Sequence, residues 1–304
     1  MPSMKREQWH GVFPAITTPF TPNGEVDHEF LAGHARRLLA SGCTGLVPLG
    51  SLGEGATLTR TEKLAVLDTC VRAVGDRIPV VPGISALSTD EAVSLAQAAA
   101  AAGCAGLMVL PPYVYRGDWR ETRAHVSAVI RATPLSCLLY NNPIAYGTDF
   151  VPDQVRSLCE FSNLHAVKES SGDVRRFTAL RALLHDRLAL FVGLDDALLE
   201  GVAMGATGWI AGLVNALPDE SVLLFEHAIA GRIADARALY DWFLPLLRLD
   251  TEPKFVQLIK LVQEEVGLGS ERVRAPREIL VGAEREMALA IIHERLASKP
   301  ARSA

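Results

Sequence analysis

Two side chains at the ends of apolar runs can do nucleophilic and proton-transfer chemistry, and a glycine-rich loop can hold an anion for them. Lys168 closes the run Leu164 to Val167 and is followed by Glu169, Ser170, Ser171, Gly172 and Asp173, a turn composition. An ammonium taken out of water loses its solvation, so a lysine ending a buried strand is costly. Desolvation lowers the pKa of such a lysine, and the neutral amine attacks carbonyl carbons to form a Schiff base. The alternative is a strand-end lysine that snorkels to solvent. Tyr140 ends the run from Leu135 and precedes Asn141, Asn142 and Pro143. A phenol at a strand end relays protons if it faces the mouth of a site, and is otherwise a core aromatic with a hydrogen-bonded hydroxyl. The stretch Gly50-Ser51-Leu52-Gly53-Glu54-Gly55 lets backbone N–H groups approach a ligand and adds the Ser51 hydroxyl. That composition suits a carboxylate, or a tight turn with no ligand.

An amine, a phenol and a carboxylate cradle make one chemistry. The cradle grips a 2-oxo acid, Lys168 condenses with its ketone, and Tyr140 moves protons. The iminium is an electron sink that permits proton loss or carbon–carbon cleavage beside it, so no metal and no other cofactor is called for.

Such residues, far apart in sequence, need a scaffold that gathers strand ends. Apolar runs at Gly11–Thr18, Gly45–Gly50, Pro79–Ile84, Gly106–Leu110, Leu135–Tyr140, Leu164–Lys168, Leu188–Gly193 and Gly208–Val214 alternate with amphipathic helical stretches at roughly thirty-residue spacing. Thr59 and Glu62 are spaced as a capping box. Continuous apolar strands imply parallel pairing buried on both faces. Eight such units predict an α/β fold, a (β/α)8 TIM barrel over residues 1–232. A doubly wound sheet competes, but no Gly-x-Gly-x-x-Gly follows the first strand. Beyond residue 232 the pattern is helical (Ala234–Leu249, Pro253–Glu265, Pro276–Ala297), predicting a C-terminal extension, 233–304, packed on the barrel.

Bulk composition narrows the function classes. A net charge of −5 argues against nucleic acid or an anionic membrane as partner. No apolar run approaches about twenty residues, and Met1 to His10 carries no signal-peptide pattern, so a cytoplasmic protein is expected. The 5 cysteines are scattered through apolar stretches without a Cys-x-x-Cys pair, which reads as buried thiols. Glu54, Glu169, Asp195 and Asp196 are the carboxylates a metal-dependent barrel would use, but His165 falls at the wrong end of its strand. A 2-oxo-acid-binding regulatory protein on the same fold is the non-enzymatic alternative.

Gly50-Ser-Leu-Gly-Glu54, Pro111-Pro-Tyr113, Tyr140-Asn-Asn-Pro143, Val167-Lys-Glu-Ser170 and Gly193-Leu-Asp-Asp196, in this order, resemble the dihydrodipicolinate synthase / N-acetylneuraminate lyase family, over about Gly11 to Ala297. The resemblance implies that Lys168 is the Schiff-base lysine and Tyr140 the proton relay. It implies that Ser51 and the Leu52 amide, beside Gly50, bind the substrate carboxylate, and that Gly193 and Ile210 line the pocket through their backbone. It also implies a homotetramer, a dimer of dimers. The departures bear on the reaction. Leu52 stands where dihydrodipicolinate synthases resembling this chain carry a second hydroxyl, Val114 where they carry a tyrosine, and Ala145 where they carry the arginine that holds the second substrate's carboxylate. A buried anion without that arginine loses a charge-assisted pair. The expected reaction is therefore dehydration or deamination of the 1-pyrroline-4-hydroxy-2-carboxylate or 2-keto-3-deoxy acid type. Retro-aldol cleavage of a 4-hydroxy-2-oxo acid and 4-hydroxy-tetrahydrodipicolinate synthesis stand as alternatives. The apolar replacements Leu52 and Val114, with Tyr146 nearby, are expected to suit a small, compact substrate better than a long polyol.

Overall fold

A computed structural model describes residues 3–300; Met1, Pro2 and Ala301 to Ala304, at the two outer limits of the predicted units, lie outside the described residues. Strands β1 (Gly11–Pro14), β2 (Gly83–Ile84), β3 (Gly106–Val109), β4 (Ser136–Asn141), β5 (Leu164–Glu169), β6 (Ala189–Val192) and β7 (Gly208–Ala211) form a parallel sheet in the order β1-β7-β6-β5-β4-β3-β2. Helices α1 (His28–Ala40), α2 (Arg60–Val74), α3 (Thr89–Ala101), α4 (Trp119–Arg131), α5 (Pro143–Tyr146), α6 (Pro152–Leu158), α7 (Arg175–Leu184), α8 (Leu198–Ala203) and α9 (Pro218–Ile229) connect and surround them. This is a (β/α)8 barrel with its eighth stave reduced.

That stave is the second strand expected from the sequence, Gly45–Gly50. It forms only an isolated bridge, Leu46 to Val80. Residues 44–48 nevertheless close the ring by hydrogen bonds on both sides: Val47 N–H to Pro14 O at 2.8 Å, and Val81 N–H to Leu46 O at 2.8 Å. The physical reason is proline. Pro14, Pro48, Pro79 and Pro82 have no N–H to give, so the ladder on these staves loses rungs. The other strands are seen where expected with shifted bounds: the first ends early at Pro14 and the last at Ala211, β4 and β5 each run one residue further, and β2 is cut to Gly83–Ile84.

Two apolar layers follow from period-two alternation. One fills the barrel lumen, with Trp9, Phe13, Met108, Leu138, Tyr140, Ala166, Phe191 and Ile210. Trp9, Phe13 and Phe191 pack ring against ring at 5.3–5.9 Å. The larger layer lies between the sheet and the helices. Helix starts are chemically marked. Thr59 and Glu62 form the predicted capping box on α2, and Asp27, Ser88 and Asp118 cap α1, α3 and α4.

Three further helices, α10 (Ile233–Leu247), α11 (Phe255–Glu265) and α12 (Gly282–Ala297), follow the barrel. Helix α10 packs on α8 and α9, and α12 packs on α10 and α11. Helix α12 begins six residues later than its sequence pattern, because Pro276 to Val281 is non-helical. Cys43, Cys70, Cys104 and Cys137 are buried free thiols, pushed up to about 12 by burial. No described helix is long and apolar enough to cross a membrane.

Candidate active site

The ends of β4 and β5 bring the two chemical side chains together. Tyr140 and Lys168 are register partners on neighbouring strands, so both point into the lumen. Lys168 is 6% exposed, and its Nζ lies 4.3 Å from the centroid of the Tyr140 ring. The next pair in register, Asn141 and Glu169, faces the other way. Asn141 Nδ2 donates to Glu169 at 3.0 Å, and the Ser171 N–H donates to the same carboxylate at 2.6 Å. Burial raises the Glu169 carboxyl, against the pull of these donors. This outer network fixes the strand end from which Lys168 projects.

Asn142 aims the phenol. It caps α5, accepting from the Ala145 N–H at 2.9 Å, while its Nδ2 donates to the Tyr140 hydroxyl at 2.9 Å. Pro143 at the first helical position suits so short a helix. One turn later α5 lays Tyr146 across the mouth. Its hydroxyl hydrogen-bonds Ser51 Oγ, and its ring stands 5.7 Å from Tyr140 and 6.0 Å from Tyr113. Burial and then the neighbouring Tyr140 push the Tyr146 phenol well above the usual range, while the Ser51 hydrogen bond acts the other way. A neutral Tyr146 therefore donates or accepts hydrogen bonds at physiological pH.

The glycine loop is held by backbone strain and close approach. Leu49 (φ 64°) and Glu54 (φ 52°) are left-handed, and a β-carbon on Gly55 would lie 2.2 Å from Leu49 O. Gly50 packs against Gly83, whose β-carbon would come within 3.2 Å of it. Ser51 faces the mouth. Leu52 does not: its side chain is buried in the layer outside the barrel, leaving only its backbone for a ligand. Val114 is 79% exposed. Of the three residues expected to favour a compact substrate, Leu52 and Val114 thus do not line the site with their side chains, whereas Tyr146 stands over it with Tyr113.

Glu54, the carboxylate of the same loop, is a clamp. It is 1% exposed and accepts from Lys260 Nζ at 2.6 Å and the Arg274 N–H at 3.0 Å. Asp195 is likewise committed, accepting from Trp209 Nε1 at 3.0 Å and from the Gly212 and Leu213 N–H groups at 3.0 and 2.8 Å. Burial raises its carboxyl to about 6, against those donors and nearby Lys168. Asp250, beyond α10, sits against Gly212, where a β-carbon would meet its Oδ1 at 1.9 Å. Burial and then Asp195 push its carboxyl far up. Asp196 faces Arg248 at 3.9 Å, and His165, at the far end of β5, meets Ser136 at 2.6 Å. No group of three or more His, Cys, Asp or Glu among the described residues could hold a metal ion.

Gly193 and Ile210 complete the lumen around Lys168. A β-carbon on Gly193 would lie 1.9 Å from Ser170 Oγ and 2.7 Å from Lys168 Cε, so only glycine leaves both side chains in place. Ile210 is buried on β7, in register with Phe13. Sequence reading missed Asn142 and Ser170 as site residues and placed Tyr146 only near the pocket. The Asn-Pro dipeptide, a capping residue followed by a proline at the first helical position, was the available signal for Asn142 and for where Tyr146 lies.

The residues that bear the lysine, the phenol and the hydroxyl loop all fall within one family match. The dihydrodipicolinate synthetase family model matches residues 8–294. The chain belongs to that family. It is accordingly an enzyme, a Schiff-base-forming lyase of the dihydrodipicolinate synthetase family. Relatives include the 4-hydroxy-tetrahydrodipicolinate synthase of Sorangium cellulosum, 38% identical over 241 residues, 79% of each chain. That of Natronomonas pharaonis is 37% identical over 237 residues, 78% of this chain and 80% of the relative. Among solved structures, a dihydrodipicolinate synthase from Aquifex aeolicus superposes with a TM-score of 0.90 at 25% identity, covering 97% of this chain and 100% of that one. A family protein from E. coli K12 in complex with pyruvate superposes with a TM-score of 0.88 at 26% identity, covering 95% and 99%.

Proposed function

We propose that this family member removes the C4 hydroxyl of a small 4-hydroxy-2-oxo acid, or of its cyclic imine, through an iminium on Lys168. Ser51, the Leu52 amide and the Gly50 turn hold the substrate carboxylate, and the backbones of Gly193 and Ile210 line the pocket. Lys168 Nζ attacks C2, and loss of water gives the iminium. Tyr140, aimed by Asn142, carries a proton from C3, and the resulting enamine expels the C4 oxygen as water. For 1-pyrroline-4-hydroxy-2-carboxylate, taking up one water and releasing ammonia leaves 2,5-dioxopentanoate. For a 2-keto-3-deoxy acid the same steps are a dehydration. The enzyme is proposed to work as a homotetramer.

The observation that carries this reading is Tyr146. With Ala145 in place of a cation and the Tyr146 ring between Tyr113, Tyr140 and Ser51, the mouth is aromatic and close over Lys168. That favours a compact substrate over two separate carboxylated ones. A second reading, 4-hydroxy-tetrahydrodipicolinate synthesis, draws on the relatives' names and on Arg116. The side chain of Arg116 lies against Gly147, where a β-carbon would meet its Nε at 2.2 Å, and so puts a guanidinium near the position of Ala145.

Borohydride reduction with pyruvate is expected to add one adduct, on the peptide holding Lys168. A panel of 1-pyrroline-4-hydroxy-2-carboxylate, 2-keto-3-deoxy acids and 4-hydroxy-2-oxoglutarate, with ammonia and 2,5-dioxopentanoate as readouts, identifies the reaction. An adduct elsewhere, or formation of 4-hydroxy-tetrahydrodipicolinate from pyruvate and a second aldehyde with no elimination activity, overturns the proposal.

A further inference from the structure

The C-terminal extension brings to the mouth of the barrel a carboxyl that the fold leaves unpartnered. Tyr240 of α10 donates to Asp196 O, and Arg248 faces the Asp196 carboxylate at 3.9 Å, so the turn after α10 is docked on the loop that follows β6. Asp250 ends that turn. Its side chain fills the space over Gly212, where a β-carbon would meet its Oδ1 at 1.9 Å. Ile210 faces the lumen and Ala211 the outer layer, so Gly212 presents that space to the lumen. Asp250 Oδ1 is shut off from solvent and, among the described residues, makes no hydrogen bond. A buried polar atom without a partner is destabilising and calls for a function.

Asp195 decides the state of Asp250. Its own oxygens accept from Trp209 Nε1 and from the Gly212 and Leu213 N–H groups, which suits a carboxylate. Burial and then that neighbouring charge hold the proton on Asp250, against the pull of Lys168. The lysine leans toward the same side, since a β-carbon on Gly193 would meet its Cε at 2.7 Å. Extending the β6–β7 register puts Gly193 beside Ile210, so the amine and the acid stand over adjacent strand ends. The four bonds from C2 of a substrate to a nitrogen on C5 span about 5 Å, the spacing of adjacent strands.

We propose that Asp250 captures the amine set free when Lys168 opens a cyclic imine; the inference deepens the reaction proposed above by choosing its cyclic-imine substrate. Lys168 Nζ adds to C2 of the protonated imine, and the C2–N1 bond breaks with its electron pair left on N1. One lysine proton and the Asp250 proton pass to N1. The iminium on Lys168, the C5 ammonium and the Asp250 carboxylate together carry the charge the reactants had, and no proton enters or leaves. A free amine on C5 would close again on C2, because the five-membered ring returns it at high effective concentration. An ammonium has no lone pair with which to do so. Asp250 thus commits the opened chain to elimination, and with Asp195 it disfavours substrates that bear a second carboxylate.

The test uses the full-length enzyme with 1-pyrroline-2-carboxylate and with 2-oxopentanoate, five-carbon ligands that differ in the amine and carry no C4 hydroxyl. Each is mixed with pyruvate and reduced with cyanoborohydride, and the adducts on the Lys168 peptide are compared by mass spectrometry. Asp250→Asn is expected to lower the ratio of ring-opened to pyruvate adduct by about 10–100-fold, the scale of one hydrogen bond to a charged group. The ratio of 2-oxopentanoate to pyruvate adduct is expected to hold, and Asp250→Glu to restore part of the ring-opened one. Asp250→Ser, smaller and also neutral, gives the same reading where Asp250→Asn fails to fold. An unchanged ring-opened ratio overturns the inference, as does an equal fall for 2-oxopentanoate, which marks altered shape and not a lost charge. Failure of the parent enzyme to eliminate from any 4-hydroxy substrate refutes the underlying reaction instead, and leaves both ratios as they were, because neither ligand has a C4 oxygen.

Discussion

Replacing Lys260 by methionine removes an ammonium buried against the active-site loop. Lys260, on α11, donates to Glu54 at 2.6 Å, to Thr18 O at 2.8 Å and to Arg272 O at 2.7 Å, with the Phe20 ring 4.5 Å away. Breaking a buried pair from one side costs about 3–5 kcal/mol, because a charge is left in low dielectric. Here Glu54 keeps the Arg274 N–H at 3.0 Å and Arg277 at 3.8 Å, which lowers the cost, while two carbonyls lose their donor, which raises it. A value of about 4 kcal/mol follows. At about 2 °C per kcal/mol for a large domain, the melting midpoint is expected to fall by roughly 8 °C. Thermal melts followed by circular dichroism should show Glu54→Gln losing less, since a neutral amide keeps the acceptor. The double variant should lose clearly less than the two singles added, with a coupling of about 1–3 kcal/mol. Because Ser51 rides on the same loop, Lys260→Met should also need more pyruvate for half-maximal borohydride trapping. A Lys260→Met protein that melts with its parent, or strictly additive singles, refutes the reasoning.

Tyr140→Phe keeps the ring over Lys168 but removes the hydroxyl; imine trapping should persist while turnover falls by about 10²-fold, and unchanged turnover removes Tyr140 from the mechanism. Gly193→Ala drives a methyl into Ser170 Oγ and Lys168 Cε, so we expect a loss of about 1–3 kcal/mol in denaturant unfolding together with loss of pyruvate trapping. His34, buried against Asn215 Oδ1 at 3.1 Å, is held down to about 4 by desolvation. Its unfolded form binds a proton at about 6.5 and its folded form only near 4, so stability falls as pH drops through that window, by up to about 3 kcal/mol. His34→Gln should flatten this acid limb in urea unfolding at stepped pH; an unchanged limb assigns it to other groups.

The strand–helix alternation made the barrel legible, because parallel strands buried on both faces read as bare apolar runs and their helices start with capping residues. Lys168 and Tyr140 were legible for the same reason: a lysine and a tyrosine ending such runs stand out. The second stave was misread as a full strand, since its apolar composition hides what prolines on its neighbours do to the ladder. Glu54 offered itself as a metal carboxylate until folding revealed Lys260, 206 residues away, as its partner. Leu52 was misjudged because facing depends on loop backbone, where no period applies. Tyr146 could be placed only near the pocket, because a single-turn helix has too few residues to display the periodicity that would show it lying across the mouth.

The proline-poor half of the ring, β3 to β7, carries the amine and the phenol, whereas the seam at residues 44–48, where Pro14 and Pro48 can donate no rung, leads straight into the loop of Ser51. Local opening begins where rungs are fewest. The two halves of the pocket are therefore mechanically unlike: a stiff wall that does the bond-making and a yielding one that admits and lets go of the acid. Amide exchange in residues 44–52 should outpace that of β4 and β5, and its quickening would track product departure rather than chemistry.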